Sequence, residues 1–170
     1  MFRLAAAAFA ALFLSGAAMA QESDDPELIF KKTTVWRMLS PDAKLATYVL
    51  DDPQIDGVSC YFTVPEVGGW KGWAGFAEER SETSLACRQT GPVTIKAKFE
   101  QGEQIYRQRR SLFFKKMQIV RGCDARRNVL VYLAYTDKLI EGSPQNSTST
   151  VPLMPWGTQT PPKCGDFVTG

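Results

Sequence analysis

SLFFKKMQIVRG (Ser111–Gly122) and NVLVYLAYTDKLI (Asn128–Ile140) are two runs too rich in β-branched and aromatic residues to favour helix. The second passes from Val129 to Tyr135 without a charged or strongly polar side chain. DARRN (Asp124 to Asn128) lies between the runs, and EGSPQN (Glu141 to Asn146) follows them. Both insertions are made of turn-forming and solvated residues, so the stretch reads as a β-hairpin closed by a polar turn and ended by a polar corner. A hairpin with arms this long and apolar belongs at the centre of a sheet.

Upstream, the chain repeats short strand signals between turn signals. Leu28 to Met38 is the first strand candidate and Leu45 to Leu50 the second, with Ser40-Pro41-Asp42 between them and Asp51-Asp52-Pro53 after them. Val58 to Val64 alternates cleanly: Val58, Cys60, Phe62 and Val64 share one face. Leu85 to Gln89 and Val93 to Phe99 follow, separated by Thr90-Gly91-Pro92, and Ser147 to Val151 offers a last short strand. This spacing predicts a mainly β fold: one compact, antiparallel, sandwich-like domain of about seven or eight strands. PEVGGWKGWAGFAEERSETS interrupts the pattern, and its Trp70, Trp73, Ala74 and Ala77 on one helical face predict a short helical excursion near residues 70–80. No GxxxxGK[ST] or GxGxxG supports a phosphate cradle there.

The ends read differently. Residues 1–20 have a positive end at Arg3, an apolar segment from Leu4 to Leu14 and a small-x-small site at Ala18-Met19-Ala20, the layout of a cleavable secretory signal. A product exported to the periplasm is expected, without a membrane-spanning segment after cleavage, because the apolar run is too short to span a bilayer. Residues 21–33 are expected as a flexible lead-in and 157–170 as a Pro-rich tail, flanking a β domain over 34–156.

Composition narrows the chemistry. The 20 basic and 18 acidic residues nearly balance, which gives no global reason to expect nucleic acid as partner. Histidine is absent, and with it the commonest general base and metal ligand. Four cysteines in an exported chain without a C-x-x-C pair point to disulfides, not to a metal. Three full pairings are possible. Strand phase turns Cys60 and Cys87 inward and favours their union, which leaves Cys123 for Cys164, a bridge that would pin the tail. No cofactor or metal site is indicated.

VRGCDARRNVLVYLAYTDKLIEGSPQNSTSTVPLMPW resembles the closing block of the CreA family of exported bacterial proteins. So do the DDP turn at Asp51 to Pro53, the Cys60 strand, GGWKG, CRQTGP from Cys87 and RSLFFKKMQIVR. The similarity covers about Thr34 to Trp156, and DxxRN, YTDK and EGSPxN are specific in this order. The resemblance implies a periplasmic protein associated with a sensor-regulator operon, without an established activity. Cys123, Cys164 and the tail after Trp156 depart from the family pattern.

Catalysis has little to build on. Ser111 and Lys115 lie roughly 13 Å apart along a strand, too far for a dyad. Asp124, Asp137 and Glu141 read as solvated turn carboxylates, so no catalytic residue is assigned. Binding is the stronger reading. Eight cations fall within 21 residues, from Arg107 to Arg127. The contact surface expected from them comprises Arg121, Arg126, Arg127, Lys138, Ser143 and Asn146, offered to an envelope protein or to an anionic lipid or glycan. A competing structural reading has Asp124 accepting hydrogen bonds in its own turn and Asn128 in a left-handed conformation.

Overall fold

The computed structural model describes residues 25–35, 43–67, 84–107, 117–136 and 145–169. The expected helical excursion at 70–80, Lys138 and Ser143 lie outside the described residues. Two four-stranded antiparallel sheets form the frame. In the first, β1 (Glu27–Val35), β2 (Ala43–Asp51), β3 (Ile55–Val67) and β4 (Ser84–Ile95) lie side by side in chain order. In the second, β6 (Glu103–Arg107), β7 (Met117–Asp124), β8 (Val129–Thr136) and β9 (Asn146–Pro152) do the same. The hairpin is thus the centre of its sheet, as its apolar arms require. β5 (Phe99–Glu100) pairs in parallel with β10 (Val168–Thr169).

Period-two alternation puts one face of each sheet into a shared core. Leu50, Val58, Cys60, Phe62 and Cys87 from the first meet Met117, Ile119, Leu130, Tyr132 and Val151 from the second. The sheets also touch where β4 meets β9: the Cys87 amide donates to Ser149 Oγ at 2.8 Å. The Gln89 side chain clasps the Met154 backbone, accepting from its N–H and donating to its carbonyl, both at 3.0 Å.

Two strand expectations change. Thr90-Gly91-Pro92 does not end a strand; β4 runs straight through it, opposite a register shift between Asp56 and Val58. Gly57 absorbs that shift at φ 77°, and a Cβ there would stand 2.3 Å from the Pro92 carbonyl oxygen, so the two strands can pass only on glycine. Residues 157–170 are more than a tail. Cys164–Phe167 forms a 3₁₀ turn, Phe167 and Val168 pack against the core, and Cys164 is fully buried. β1 begins at Glu27 and so takes in part of the 21–33 stretch.

Both disulfides form as the pairing reading expects. Cys60 and Cys87 sit directly opposite each other on β3 and β4, while Cys123 at the end of β7 reaches Cys164.

Candidate functional site

Strand phase in β7 sets up the most unusual feature of the interior. Met117, Ile119, Arg121 and Cys123 share the core face, so the arginine of the sequence MQIVRGC enters the apolar layer and is only 1% exposed. A guanidinium there needs partners, and the β2–β3 turn and β6 supply them. Its Nη1 donates to Asp52 Oδ1 at 2.5 Å, and its Nη2 to Gln54 Oε1 at 2.7 Å and to Glu103 Oε2 at 3.5 Å. The group also lies 4.3 Å over the ring of Phe99.

Asp52 is held on every side. Besides Arg121, its Oδ1 accepts from the amides of Gln54 and Ile55, and its Oδ2 accepts from the Tyr132 hydroxyl at 2.8 Å. Burial, reinforced by the Asp52 charge, pushes the Tyr132 phenol far above its ordinary range, so it stays a hydrogen-bond donor. Gln54 in turn donates to Glu103 Oε1 at 3.0 Å. The network bolts the β2–β3 turn to β6, β7 and β8. Four hydrogen bonds thus meet on the Asp52 carboxylate, three at Oδ1 and one at Oδ2. Its role is to join the sheets.

Asp52 also lines a cleft of about 500 Å³, together with Asp25, Glu27, Asp51, Asp56, Ser59 and Lys96. Ser59 donates to Asp51, and Lys96 pairs with Asp56 at 2.7 Å. Tyr106, packed on Phe62, is raised by burial first and then by Asp25 and Tyr48. Among the described residues no set of three Cys, Asp or Glu side chains is placed to hold a metal ion, and no helix is long and apolar enough to cross a membrane.

The hairpin turn is the opposite case, polar and exposed yet firmly mounted. Asp124 Oδ1 accepts from the Arg127 amide at 3.2 Å, and Oδ2 from the Arg127 guanidinium at 2.7 Å. That side-chain bond is the main reason the Asp124 carboxyl lies below its ordinary range. Asn128 turns the chain at φ 55°. Its side chain reaches the tail, donating to the Pro162 carbonyl at 3.1 Å and accepting from the Cys164 amide at 2.8 Å. The Cys123–Cys164 bridge closes the same junction, and Gly165 lies so near that a Cβ there would come within 2.8 Å of the Ala125 methyl.

Of the residues expected at a contact surface, Arg126 and Arg127 are exposed on this turn and Asn146 is exposed at the start of β9. Arg121 is not. The run of cations in the sequence concealed that its strand phase is that of Ile119 and Cys123, and this correction removes it from any surface. Sequence reasoning missed Asp52 altogether, although a buried cation in a strand calls for a carboxylate and the DDP turn held one.

The chain matches the family model described as "CreA protein" over residues 29–156. It is 45% identical over 127 residues to the protein named "Protein CreA" from Escherichia coli strain K12, and to its namesake from strain O157:H7. In each case the match covers 72% of this chain and 81% of the relative. No solved structure matches.

Proposed function

The chain belongs to the CreA family, and we propose that it works as a non-catalytic, exported accessory protein that binds an envelope partner through the hairpin turn. The observation that carries this reading is the mounting of that turn. Asp124, Asn128, the Cys123–Cys164 bridge and the packed tail all fix residues 124–128, yet Arg126 is left exposed, and among the described residues no carboxylate pairs with it. A loop held by a rigid frame and presenting a guanidinium is suited to recognising an oxyanion. Arg127 is partly neutralised by Asp124, so Arg126 is the leading contact. Asn146 pairs with Tyr135 at the far end of β8, roughly 20 Å along the strand from the turn, and so is not part of this surface, and Lys138 and Ser143 lie outside the described residues.

The partner of matching chemistry is the acidic face of an envelope protein, or an anionic lipid or glycan. The secretory layout of residues 1–20 and two buried disulfides support a periplasmic location, since such bonds persist in oxidising compartments. The use of Asp52 to hold Arg121, Tyr132 and its own turn supports the non-catalytic part.

Capture from envelope extract tests the assignment. The Arg126→Ala, Arg127→Ala double variant is expected to keep its thermal midpoint nearly unchanged and to lose most of the bound partner, with the wild-type interaction weakening as salt rises. Undiminished capture by a variant that unfolds several degrees earlier would make the arginines structural and move the site elsewhere.

A further inference from the structure

We propose that two copies of this chain associate through their β1 strands, antiparallel, to form one continuous eight-stranded sheet. β1 is the outermost strand of the first sheet, and among the described residues it pairs with β2 alone. Its sequence is ELIFKKTTV. Leu28, Ile29 and Phe30 are 44, 48 and 55% exposed, so three consecutive large apolar side chains meet solvent on both faces of an edge. Monomeric proteins usually guard such an edge with charge or proline; here Pro26 and Glu27 precede the apolar triplet and Lys31 and Lys32 follow it, while the triplet itself carries neither guard. Ile29 falls at a bulge and takes no partner on β2. Phe30 shares its face with exposed Leu45 and Tyr61, which widens the apolar surface beyond the strand.

The charges decide both the partner and the direction. Glu27 and Lys31 lie four residues apart on an extended strand, roughly 13 Å, too far to pair within one copy. An antiparallel pairing centred on Ile29 sets Leu28 opposite Phe30 of the second copy. Glu27 then stands opposite the second copy's Lys31, with its Lys32 adjacent, and two-fold symmetry makes each contact twice. Parallel pairing would instead set Glu27 against Glu27 and lysine against lysine. Glu27 also lines the 500 Å³ cleft together with Asp25, Asp51, Asp52 and Asp56, against which Lys96 is, among the described residues, the one lining cation, so the second copy would bring two lysines to a residue that borders an excess of carboxylates. A foreign strand would need this charge order by coincidence, whereas a second copy carries it.

Sedimentation equilibrium of the exported, disulfide-bonded chain between about 1 and about 300 µM is the test. The expected result is a mass rising to two protomers, with dissociation favoured by salt. Ile29→Lys places like charges against each other at the two-fold axis, and Glu27→Lys does the same against Lys31 and Lys32. Each is expected to weaken the dimer at least about tenfold. Adding Lys31→Glu and Lys32→Glu to Glu27→Lys reverses every pair and is expected to restore it. If Ile29→Lys does not fold, the charge reversals decide alone. A single protomer mass throughout the range, a dimer indifferent to Glu27→Lys, or no recovery on full reversal each overturns the proposal.

Discussion

Arg121 and Arg126 stand five residues apart on one hairpin and could hardly be held more differently. Arg121 projects from a strand into the core, where Asp52, Gln54, Glu103 and the Phe99 ring surround it. Arg126 projects from the turn into solvent. The contrast teaches that a run of cations in a β protein is not one feature. Alternation assigns each member separately to core or water, and the two assignments carry different energetics. A buried guanidinium is costly unless neutralised and fully bonded, while an exposed one contributes little to stability and is available to a partner.

The largest effect is expected at the buried end. Asp52→Ala leaves the Arg121 charge uncompensated in the core and is expected to cost roughly 3 to 5 kcal/mol, read as a lower urea midpoint without a change in slope. Replacing both residues, Asp52→Ala with Arg121→Met, removes the stranded charge and should recover part of that loss. Non-additivity is the signature of a pair acting as a unit. If Asp52→Ala costs less than about 1 kcal/mol, Arg121 finds another partner and the contrast with Arg126 weakens.

Between the two arginines lies the junction with the tail. The Cys123–Cys164 bridge spans a sequence separation of 41 residues, for which chain entropy gives an upper figure of about 4 kcal/mol. Cys123→Ser with Cys164→Ser is expected to lose roughly 2 to 4 kcal/mol. Because Cys164 is buried and Val168 pairs with Phe99 beside the Arg121 ring contact, the loss should appear as faster amide exchange in β8 as well as in the tail. Faster exchange confined to 157–169 would return that segment to the peripheral role its composition suggests.

These partners also mark the limit of what the chain shows without its fold. The arms of the hairpin, their central place and both cysteine pairings were legible, because alternation and turn chemistry are local. The left-handed Asn128 and the Asp124 hydrogen bonds were legible for the same reason. Arg121 was half legible: its phase with Ile119 and Cys123 places it inward, but its partner lies 69 residues away, and nothing local links the two. Pro162 looks like part of a loose end, yet its carbonyl is one of the two groups that the Asn128 side chain holds, the Cys164 amide being the other. Composition describes a segment's own preferences, not what another side chain does to it. For the same reason the candidate binding turn was visible while its rigid mounting was not.

A smaller effect separates the roles of Asn128. Asn128→Gly keeps the left-handed conformation but removes both side-chain bonds to the tail, for an expected loss of about 1 to 2 kcal/mol. Asn128→Val removes the same bonds and adds a left-handed cost of roughly 1 to 2 kcal/mol for a branched residue. Equal losses in the two variants would mean that the turn relaxes out of its left-handed geometry, and the fixed presentation of Arg126 would go with it.

The smallest expected effect is at the exposed end, in the pair that tempers the turn's positive charge. The Arg127 side chain, more than any other group, lowers the Asp124 carboxyl below its ordinary 3.8. A carboxyl lowered by folding stabilises the native state at pH values above its unfolded value, and that contribution fades as pH falls through the lower folded value. Between neutral pH and about pH 5 the turn should therefore show no titration, and its ordering should fade only below about pH 4. Carbon NMR of the Asp124 side chain reads this directly, and Arg127→Ala should bring the midpoint back toward 3.8 while hardly moving the thermal midpoint of the protein. If Arg127→Ala leaves the Asp124 titration where it was, the pair does not form in solution. Arg127 would then be as free as Arg126, and the turn would offer a partner two uncompensated guanidinium groups instead of one.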